Sequence, residues 1–262
     1  TVTMLMSDNG ASQEGGAIGV IDTFKYFNGI PETLEESMAR LDEIGGPKSN
    51  TNYPWGWAQV GNTPGKRYKQ NTHGGGIRDP LIVNWPAGIH DAGGIRTQFH
   101  HVTDITPTLL EIVGVHPPEL LNGVAQMPVH GESLAYTFDA GNRELPTRKQ
   151  SQYFEMYGSR AIFSGGWKAV TFHKPGTPFD DDRWELYHLD SDFSECRDLA
   201  KEQPDRLAGE QHGGHGQPGG QRLLGAAELD RDGVRPVEAE TLGDDPGGAE
   251  HEGKQAQTYD DQ

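Results

Sequence analysis

The sequence predicts an α/β protein followed by a small antiparallel sheet and a disordered tail. Short apolar runs at residues 2–6 and 81–85 are typical of buried strands, because a turn or a proline closes each one. A segment with helical spacing follows each run, and several strand-like runs come later. We therefore divide the chain into an α/β part (1–141), an antiparallel subdomain (142–207) and a low-complexity tail (208–262).

The two apolar runs are predicted to be buried central strands of a parallel sheet. Strands of that kind are normally covered on both faces by helices of βαβ units. Too few such units are visible in this chain to complete that arrangement. We expect the chain to expose part of a sheet edge and to be poorly stable alone.

The first predicted helix spans residues 30–46. Acidic residues occupy its first turns, and Gly45 is placed to end it. Its apolar residues recur at helical spacing, at Leu34, Met38, Leu41 and Ile44.

The second predicted helix begins at Thr106-Pro107 and closes at Gly114. Threonine can accept hydrogen bonds from the free amides of a first turn, and proline suits the first helical position. Glycine favours the left-handed conformation that ends many helices. Asp104 is an alternative cap for the same helix.

Residues 160–172 predict two strands joined by a tight turn at Ser164-Gly165-Gly166. Strand-like runs before and after, at 153–157 and 185–189, extend this pattern to a small antiparallel sheet.

The tail from residue 208 is rich in Gly, Gln, Glu and Asp, and this composition predicts disorder. We interpret His212 and His215 there as solvent-exposed side chains rather than a metal site.

The composition limits the partners. A formal net charge of −17 argues against nucleic acid, because its phosphates would be repelled. No apolar stretch approaches the roughly 18 residues that a membrane span needs. The single cysteine excludes an internal disulfide framework, and neither the compartment nor the oligomeric state is indicated.

A carboxylate and an amide follow the first apolar run, in Ser7-Asp8-Asn9-Gly10. Open α/β sheets bind ligands at the carboxyl ends of their strands, and Asp and Asn offer the hard oxygens that Ca²⁺ or Mg²⁺ prefers. Asp-Asn-Gly is also a common turn, so this segment alone leaves both interpretations open. A second segment, residues 69–80, contains Lys69, His73 and a glycine-rich turn just before the second apolar run.

Together these segments resemble the sulfatases, members of the alkaline phosphatase superfamily. The matches are Ser7-Asp8-Asn9-Gly10, Lys69 and Gly75-Gly76-Ile77-Arg78-Asp79-Pro80, with further similarity at residues 101–111 and 184–200. The resemblance implies part of an alkaline-phosphatase-like sheet sandwiched by helices. It also implies hydrolysis of a small-molecule sulfate ester, of the arylsulfatase type.

The resemblance implies a role for each matching residue. Asp8 and Asn9 correspond to ligands of the active-site calcium, and Lys69 corresponds to a catalytic lysine that contacts the sulfate. His73, in the same loop, is either a second substrate contact or a structural hydrogen-bonding residue. Arg78 is expected to hold the loop through an ion pair.

The departures from the family pattern are equally specific. Sulfatases carry a formylglycine nucleophile, made from the cysteine of Cys-x-Pro-x-Arg, upstream of the Asp-Asn motif. Cys196 has neither the proline nor the arginine at that spacing, so it is not predicted to be the nucleophile. We expect the chain to be part of a longer enzyme and inactive alone. A phosphonate or phosphodiester hydrolase of the same superfamily, and a non-catalytic fragment, remain alternatives.

Overall fold

The computed structural model describes residues 1–213, with side chains through Gln211. Its mixture of helices and strands confirms the predicted α/β class. The helices are α1 (Thr23–Phe27), α2 (Leu34–Ala39), α3 (Trp55–Asn62), α4 (Gly74–Ile77), α5 (Ile105–Val113) and α6 (Pro204–Gly213). The strands are β1 (Thr3–Met6), β2 (Leu81–Asn84), β3 (Leu120–Leu121), β4 (Val124–Ala125), β5 (Ser151–Met156), β6 (Ser159–Ser164), β7 (Trp167–Thr171) and β8 (Trp184–His188).

Strands β1 and β2 pair with each other, but the pairing is antiparallel, so the prediction of a parallel sheet is wrong. The prediction that both strands are buried is also wrong. Leu5 and its cross-strand neighbour Ile82 are 63% and 60% exposed. Side chains alternate between the faces of a sheet, and no layer of the described residues covers this face. The exposed edge is present, because each strand has one partner within residues 1–213.

The first predicted helix is shorter than its apolar pattern indicated. Helix α2 begins after Thr33, whose hydroxyl accepts from the Glu36 N–H while the Glu36 carboxylate accepts from the Thr33 N–H. It ends at Ala39, with Arg40 as its C-cap, and a 3₁₀ turn follows at Leu41–Glu43. The Arg40 guanidinium bonds Glu43 and the Lys48 carbonyl oxygen, which holds the chain in a loop. The four apolar residues that define the stripe are each about half exposed: Leu34, Met38, Leu41 and Ile44.

Helix α5 ends as predicted and begins differently. Gly114 adopts the left-handed conformation, with φ 69° and ψ 30°. The helix begins at Ile105, after a 3₁₀ turn at Val102–Asp104, rather than at Thr106. The Asp104 side chain does not cap α5. It accepts instead from the backbone N–H groups of His101 and Glu132.

Strands β5 to β8 form the predicted small antiparallel sheet, a four-stranded meander in the order β5-β6-β7-β8. One face of strands β6, β7 and β8 packs Ala161, Val170 and Tyr187 together. The other face packs Ile162, Ala169 and Leu186 beneath residues that include Leu207 of α6. Both faces are therefore covered, and among the described residues the largest fully buried apolar side chains, Tyr187, Leu186 and Val170, lie here.

The turn between β6 and β7 supplies a test of the hairpin. Gly165 and Gly166 have φ of 52° and 85°, the signs that a type I′ turn requires at both central positions. We expect Gly166→Ala to lower the free energy of unfolding by about 1–2 kcal/mol, because a Cβ atom disfavours this conformation. Gly165→Asn should cost no more than about 0.5 kcal/mol, since asparagine tolerates it. Urea unfolding of both variants measures the difference, and equal losses would contradict the turn assignment.

Helix α6 continues to Gly213, so residues 208–213 of the segment assigned to the tail are helical. The rest of that segment, including His215, lies outside the described residues. The division at residues 141/142 stays a prediction. No helix within residues 1–213 is long and apolar enough to cross a membrane.

Candidate functional site

The turn that carries Asp8 and Asn9 lies against the glycines of α4. The Gly10 N–H donates to the Gly76 carbonyl oxygen over 3.1 Å. A Cβ atom at Gly10 would lie 1.7 Å from the carbonyl oxygen of Gly75, so only glycine fits this approach. Asp8 is exposed and Asn9 is partly exposed, which leaves both side chains accessible to a ligand.

Lys69 lies on a loop that runs beside this turn. Its backbone N–H donates over 3.0 Å to the carbonyl oxygen of Ala11, close in sequence to Asn9. Its ammonium lies 3.1 Å from the Glu14 carboxylate, and its side chain is 30% exposed. The structure therefore brings the Lys69 loop to the Asp8–Asn9 turn. The Lys69 ammonium contacts Glu14, a residue that the sequence did not single out.

Close backbone packing explains the other glycines of the motif. The Gly75 N–H donates over 2.7 Å to the Lys66 carbonyl oxygen. A Cβ atom at Gly75 would lie 2.0 Å from the carbonyl oxygen of Arg67, and one at Gly76 would lie 2.1 Å from that of Asn71. Helix α4 therefore packs directly on the loop before it and determines the path of that loop.

Asp79 is a second carboxylate near Asp8. Burial raises the pKa of Asp79, and the charge of Asp8 raises it further. Met6 pairs with Leu81, so the antiparallel register brings the residues after β1 and before β2 to the same end of the sheet. Within residues 1–213 no group of three or more His, Cys, Asp or Glu side chains is arranged to hold a metal ion. Asp8 and Asn9 thus offer oxygens of the right type for calcium, but only part of a ligand set.

His73 is buried at the start of α4, with 1% of its side chain exposed. Its Nε2 atom lies 3.0 Å from Glu185 of β8. The same carboxylate accepts from Lys66 Nζ over 2.9 Å and from the Tyr187 hydroxyl over 2.6 Å. We call these four residues the Glu185 cluster. It ties the loop before α4 to the antiparallel sheet, and its contact with His73 fits the structural alternative for that residue.

The pKa values of the Glu185 cluster follow from its burial and hydrogen bonds. Burial lowers the pKa of His73, although the bond to Glu185 opposes this effect. Burial alone would raise the pKa of Glu185, but the bonds from His73, Tyr187 and Lys66 together hold it far below the usual value. The cluster therefore contains a neutral imidazole and a carboxylate at neutral pH.

Glu195 makes a second connection between the sheet and α4. Its Oε2 atom accepts from the Gly74 N–H over 2.9 Å, and its Oε1 atom lies 2.6 Å from Lys168 Nζ of β7. Both charged side chains are almost fully buried. Burial lowers the pKa of Lys168, and the adjacent Glu195 opposes that shift.

Arg78 does not form the ion pair that the sequence predicted, since no carboxylate of the described residues lies within 4.0 Å of it. Its guanidinium stacks on the Phe193 ring, 3.7 Å from the ring centroid. Burial lowers its pKa, although Glu195 and Asp190 oppose this effect. The arginine therefore holds the end of α4 through an aromatic contact.

Sequence reasoning missed the residues that hold this loop: Lys168, Glu185 and Glu195. A signal was available in two of them. Lys168 and Glu185 are charged residues inside otherwise apolar strand runs, and a charged group that is buried in a sheet needs a partner. The sequence could therefore indicate that partners exist, but not that Glu185 meets Lys66 119 positions away or that Lys168 meets Glu195 27 positions away.

The burial of His73 predicts how stability depends on pH. Its folded-state pKa lies below the ordinary value of 6.5, so the unfolded chain binds more protons as the pH falls through that value. We expect the free energy of unfolding to decrease between about pH 7.5 and about pH 5.5. His73→Gln should reduce this decrease, because glutamine can keep the bond to Glu185 but does not titrate. Urea unfolding across this range tests it.

The matched control is His116→Gln, since His116 is exposed. His100 and His101, whose pKa values burial also lowers, are present in both variants and contribute the remaining slope. An unchanged slope in His73→Gln would contradict the prediction.

Two family models match the chain. The model described as N-sulphoglucosamine sulphohydrolase, C-terminal, matches residues 65–208, which is more than half of the chain. The model described as Sulfatase matches residues 1–115.

Curated relatives match over a similar region. An uncharacterized sulfatase of Schizosaccharomyces pombe is 34% identical over 216 residues, covering 79% of this chain and 36% of that protein. An arylsulfatase of Klebsiella aerogenes is 30% identical over 136 residues, covering 52% of this chain and 27% of that protein. The aligned region thus spans about a third of the length of these relatives.

Two solved structures are similar at low identity. Ps i-CgsB in complex with k-i-k-neocarrahexaose has a TM-score of 0.46 and 21% identity, covering 80% of this chain and 35% of that one. A Bacteroides thetaiotaomicron protein, solved in work on glycosaminoglycan metabolism, has a TM-score of 0.47 and 18% identity, covering 87% and 39%. Both TM-scores lie below 0.5, so the sequence matches alone carry the family assignment.

Proposed function

Because the chain belongs to the sulfatase family, we propose that it forms part of the active site of an arylsulfatase-type hydrolase of small-molecule sulfate esters. One observation carries the proposal: the two candidate segments contact each other. Gly10 bonds to Gly76, and the Lys69 N–H bonds to Ala11. These bonds bring the turn with Asp8 and Asn9 beside the lysine loop, which supports a shared site for a cation and an anionic ester.

In this proposal Asp8 and Asn9 are two of the calcium ligands. Calcium takes about six to eight oxygens, so further ligands would come from other segments of a longer protein. When bound, the ion supplies Lewis-acid polarisation of a sulfate oxygen. Asp8 and Asn9 themselves contribute an accessible carboxylate and amide at the end of a strand, held in place by the Gly10–Gly76 bond.

Lys69 is the proposed catalytic residue. An ammonium is a compact positive charge that stabilises charge developing on a sulfate oxygen or on the leaving alkoxide. Its pair with Glu14 is partly solvated, and such pairs are weak enough to be exchanged for a substrate. His73 donates from Nε2 to the Glu185 carboxylate, so its Nδ1 atom, which is buried and has no hydrogen-bond partner in residues 1–213, can only accept. A substrate contact by His73 would therefore be with a hydroxyl group of the substrate and not with a sulfate oxygen.

The nucleophile is not assigned to this chain. Cys196 is exposed and is followed by Arg197 and Asp198 rather than by the family's motif. We therefore expect the 262-residue chain to be inactive alone and to require a formylglycine from elsewhere in a longer protein.

The test is to express the complete reading frame that contains this chain together with formylglycine-forming activity. Release of inorganic sulfate from an aryl sulfate is measured beside hydrolysis of the matching aryl phosphonate and phosphodiester. Faster sulfate release, lost on removal of calcium, is the expected result. Faster phosphonate or phosphodiester hydrolysis would favour the other branch of the superfamily. A reading frame without Cys-x-Pro-x-Arg would remove the enzymatic proposal.

A further inference from the structure

We propose that Glu195 is a positioning residue, which keeps the Lys69 loop in its active arrangement by binding the first amide of α4. The inference deepens the proposed function and rests on it for the kinetic outcome only. The contact itself joins residues that are 121 positions apart in the chain.

The two oxygens of Glu195 have separate partners. One accepts from the Gly74 N–H over 2.9 Å, and the other lies 2.6 Å from Lys168 Nζ. The Glu195 side chain is 1% exposed and that of Lys168 is 4% exposed, so water does not compete for either contact. Lys168 lies in the inner strand β7, so its pair with the carboxylate joins Glu195 to the well-packed four-stranded sheet.

The backbone at Glu195 indicates why a carboxylate stands at this position. Its φ is 57°, in the left-handed region that glycine occupies more readily than glutamate. The turn is held by Asp192, whose carboxylate accepts from the N–H groups of Cys196 and Arg197 over 3.0 and 2.8 Å. A glycine would suit the turn better, so the side chain's contacts with Gly74 and Lys168 account for the glutamate.

Helix α4 connects this anchor to both halves of the candidate site. Gly74 begins the helix, Gly75 bonds to Lys66, and Gly76 bonds to Gly10. A shift of α4 therefore moves the Asp8–Asn9 turn and the Lys69 loop together. Misplacing a reacting group by about 1 Å can lower a rate about 10²-fold.

The variants separate positioning from stability. Glu195→Gly fits the left-handed backbone but removes the carboxylate, and Lys168→Met in the same chain avoids an unpaired buried charge. Glu195→Gln with Lys168→Met keeps a neutral acceptor for the Gly74 N–H and serves as the conservative rescue. The control is Glu202→Gln, because Glu202 is exposed and pairs with the exposed Arg197.

Amide hydrogen exchange in the 262-residue chain is the first measurement. In Glu195→Gly/Lys168→Met we expect protection to fall at residues 74–78 while β5–β8 keep theirs. The glutamine rescue should restore the protection at 74–78. Unchanged protection there, or an equal loss throughout the sheet, would overturn the inference. This measurement does not depend on sulfatase activity.

Kinetics of the complete enzyme are the second measurement. The glycine variant should lower kcat about 10²-fold with a smaller change in KM, and the glutamine variant should retain most of the rate. A normal kcat in a variant that has lost protection at 74–78 would overturn the positioning role. If the unmodified complete enzyme releases no sulfate, the proposed function fails, and hydrogen exchange still decides whether Glu195 holds the loop.

Discussion

Replacing Lys69 by alanine should lower kcat for sulfate release from the complete enzyme by about 10²–10³-fold, the usual effect of losing one donor to a developing anion. The loop of Lys69 is held beside the Asp8–Asn9 turn by the Lys69–Ala11 backbone bond, so the side chain can be removed without disturbing that contact. Initial rates with an aryl sulfate measure the effect. The thermal unfolding temperature should change little, because the Glu14 pair that is lost is partly exposed.

Lys48→Ala is the matched control, since Lys48 is an exposed lysine outside this loop. It should leave kcat and KM unchanged. A normal kcat in Lys69→Ala would remove Lys69 from the reaction. A loss confined to KM would make it a ground-state binding residue instead.

Local features of the fold were predictable because short-range chemistry determines them. Two consecutive glycines at Gly165 and Gly166 satisfy a type I′ turn whatever surrounds it. Gly114 ends α5 for a similar reason, since glycine enters the left-handed region without a Cβ clash. In both cases the residues that decide the structure are adjacent in the chain.

Features that depend on distant partners were predicted less well. The apolar run of β1 is compatible with either strand direction, and its pairing with β2 is set by contacts about eighty residues away. Polar contacts nearer in the chain also mattered: the stripe of α2 predicted a longer helix, but α2 ends at Ala39, where Arg40 bonds Glu43 and the Lys48 carbonyl oxygen. The spacing of apolar residues does not show where hydrogen bonds between polar groups accompany the end of a helix.

In the candidate site too, residues within short motifs were predicted, and residues that act through distant contacts were not. Asp8, Asn9 and Lys69 were proposed from motifs, and the structure brings their segments together. Glu185 and Glu195 were not found, because their importance lies in contacts with Lys66, His73 and Gly74 across the chain. A sequence motif indicates candidate ligand-binding residues more readily than it indicates the distant residues that hold them in place.

Asp104 should be the most sensitive position for stability in the α5 region. Its side chain is fully buried and accepts from the His101 and Glu132 N–H groups and from Lys149 Nζ, over 2.8–2.9 Å. Asp104→Ala leaves the buried ammonium of Lys149 and both amides without this partner. We expect the free energy of unfolding to fall by about 3–5 kcal/mol, the range for breaking one side of a buried ion pair. Urea unfolding of the 262-residue chain measures it.

Two further variants identify the cause of that loss. Glu111→Ala, at an exposed position of α5, should change the free energy of unfolding by no more than about 0.5 kcal/mol. Lys149→Met added to Asp104→Ala should recover part of the loss, because it removes the unpaired charge while the two amides stay unsatisfied. If the double variant is no more stable than Asp104→Ala, the amides and not the ion pair account for the effect. If Asp104→Ala resembles Glu111→Ala, Asp104 does not hold this region together.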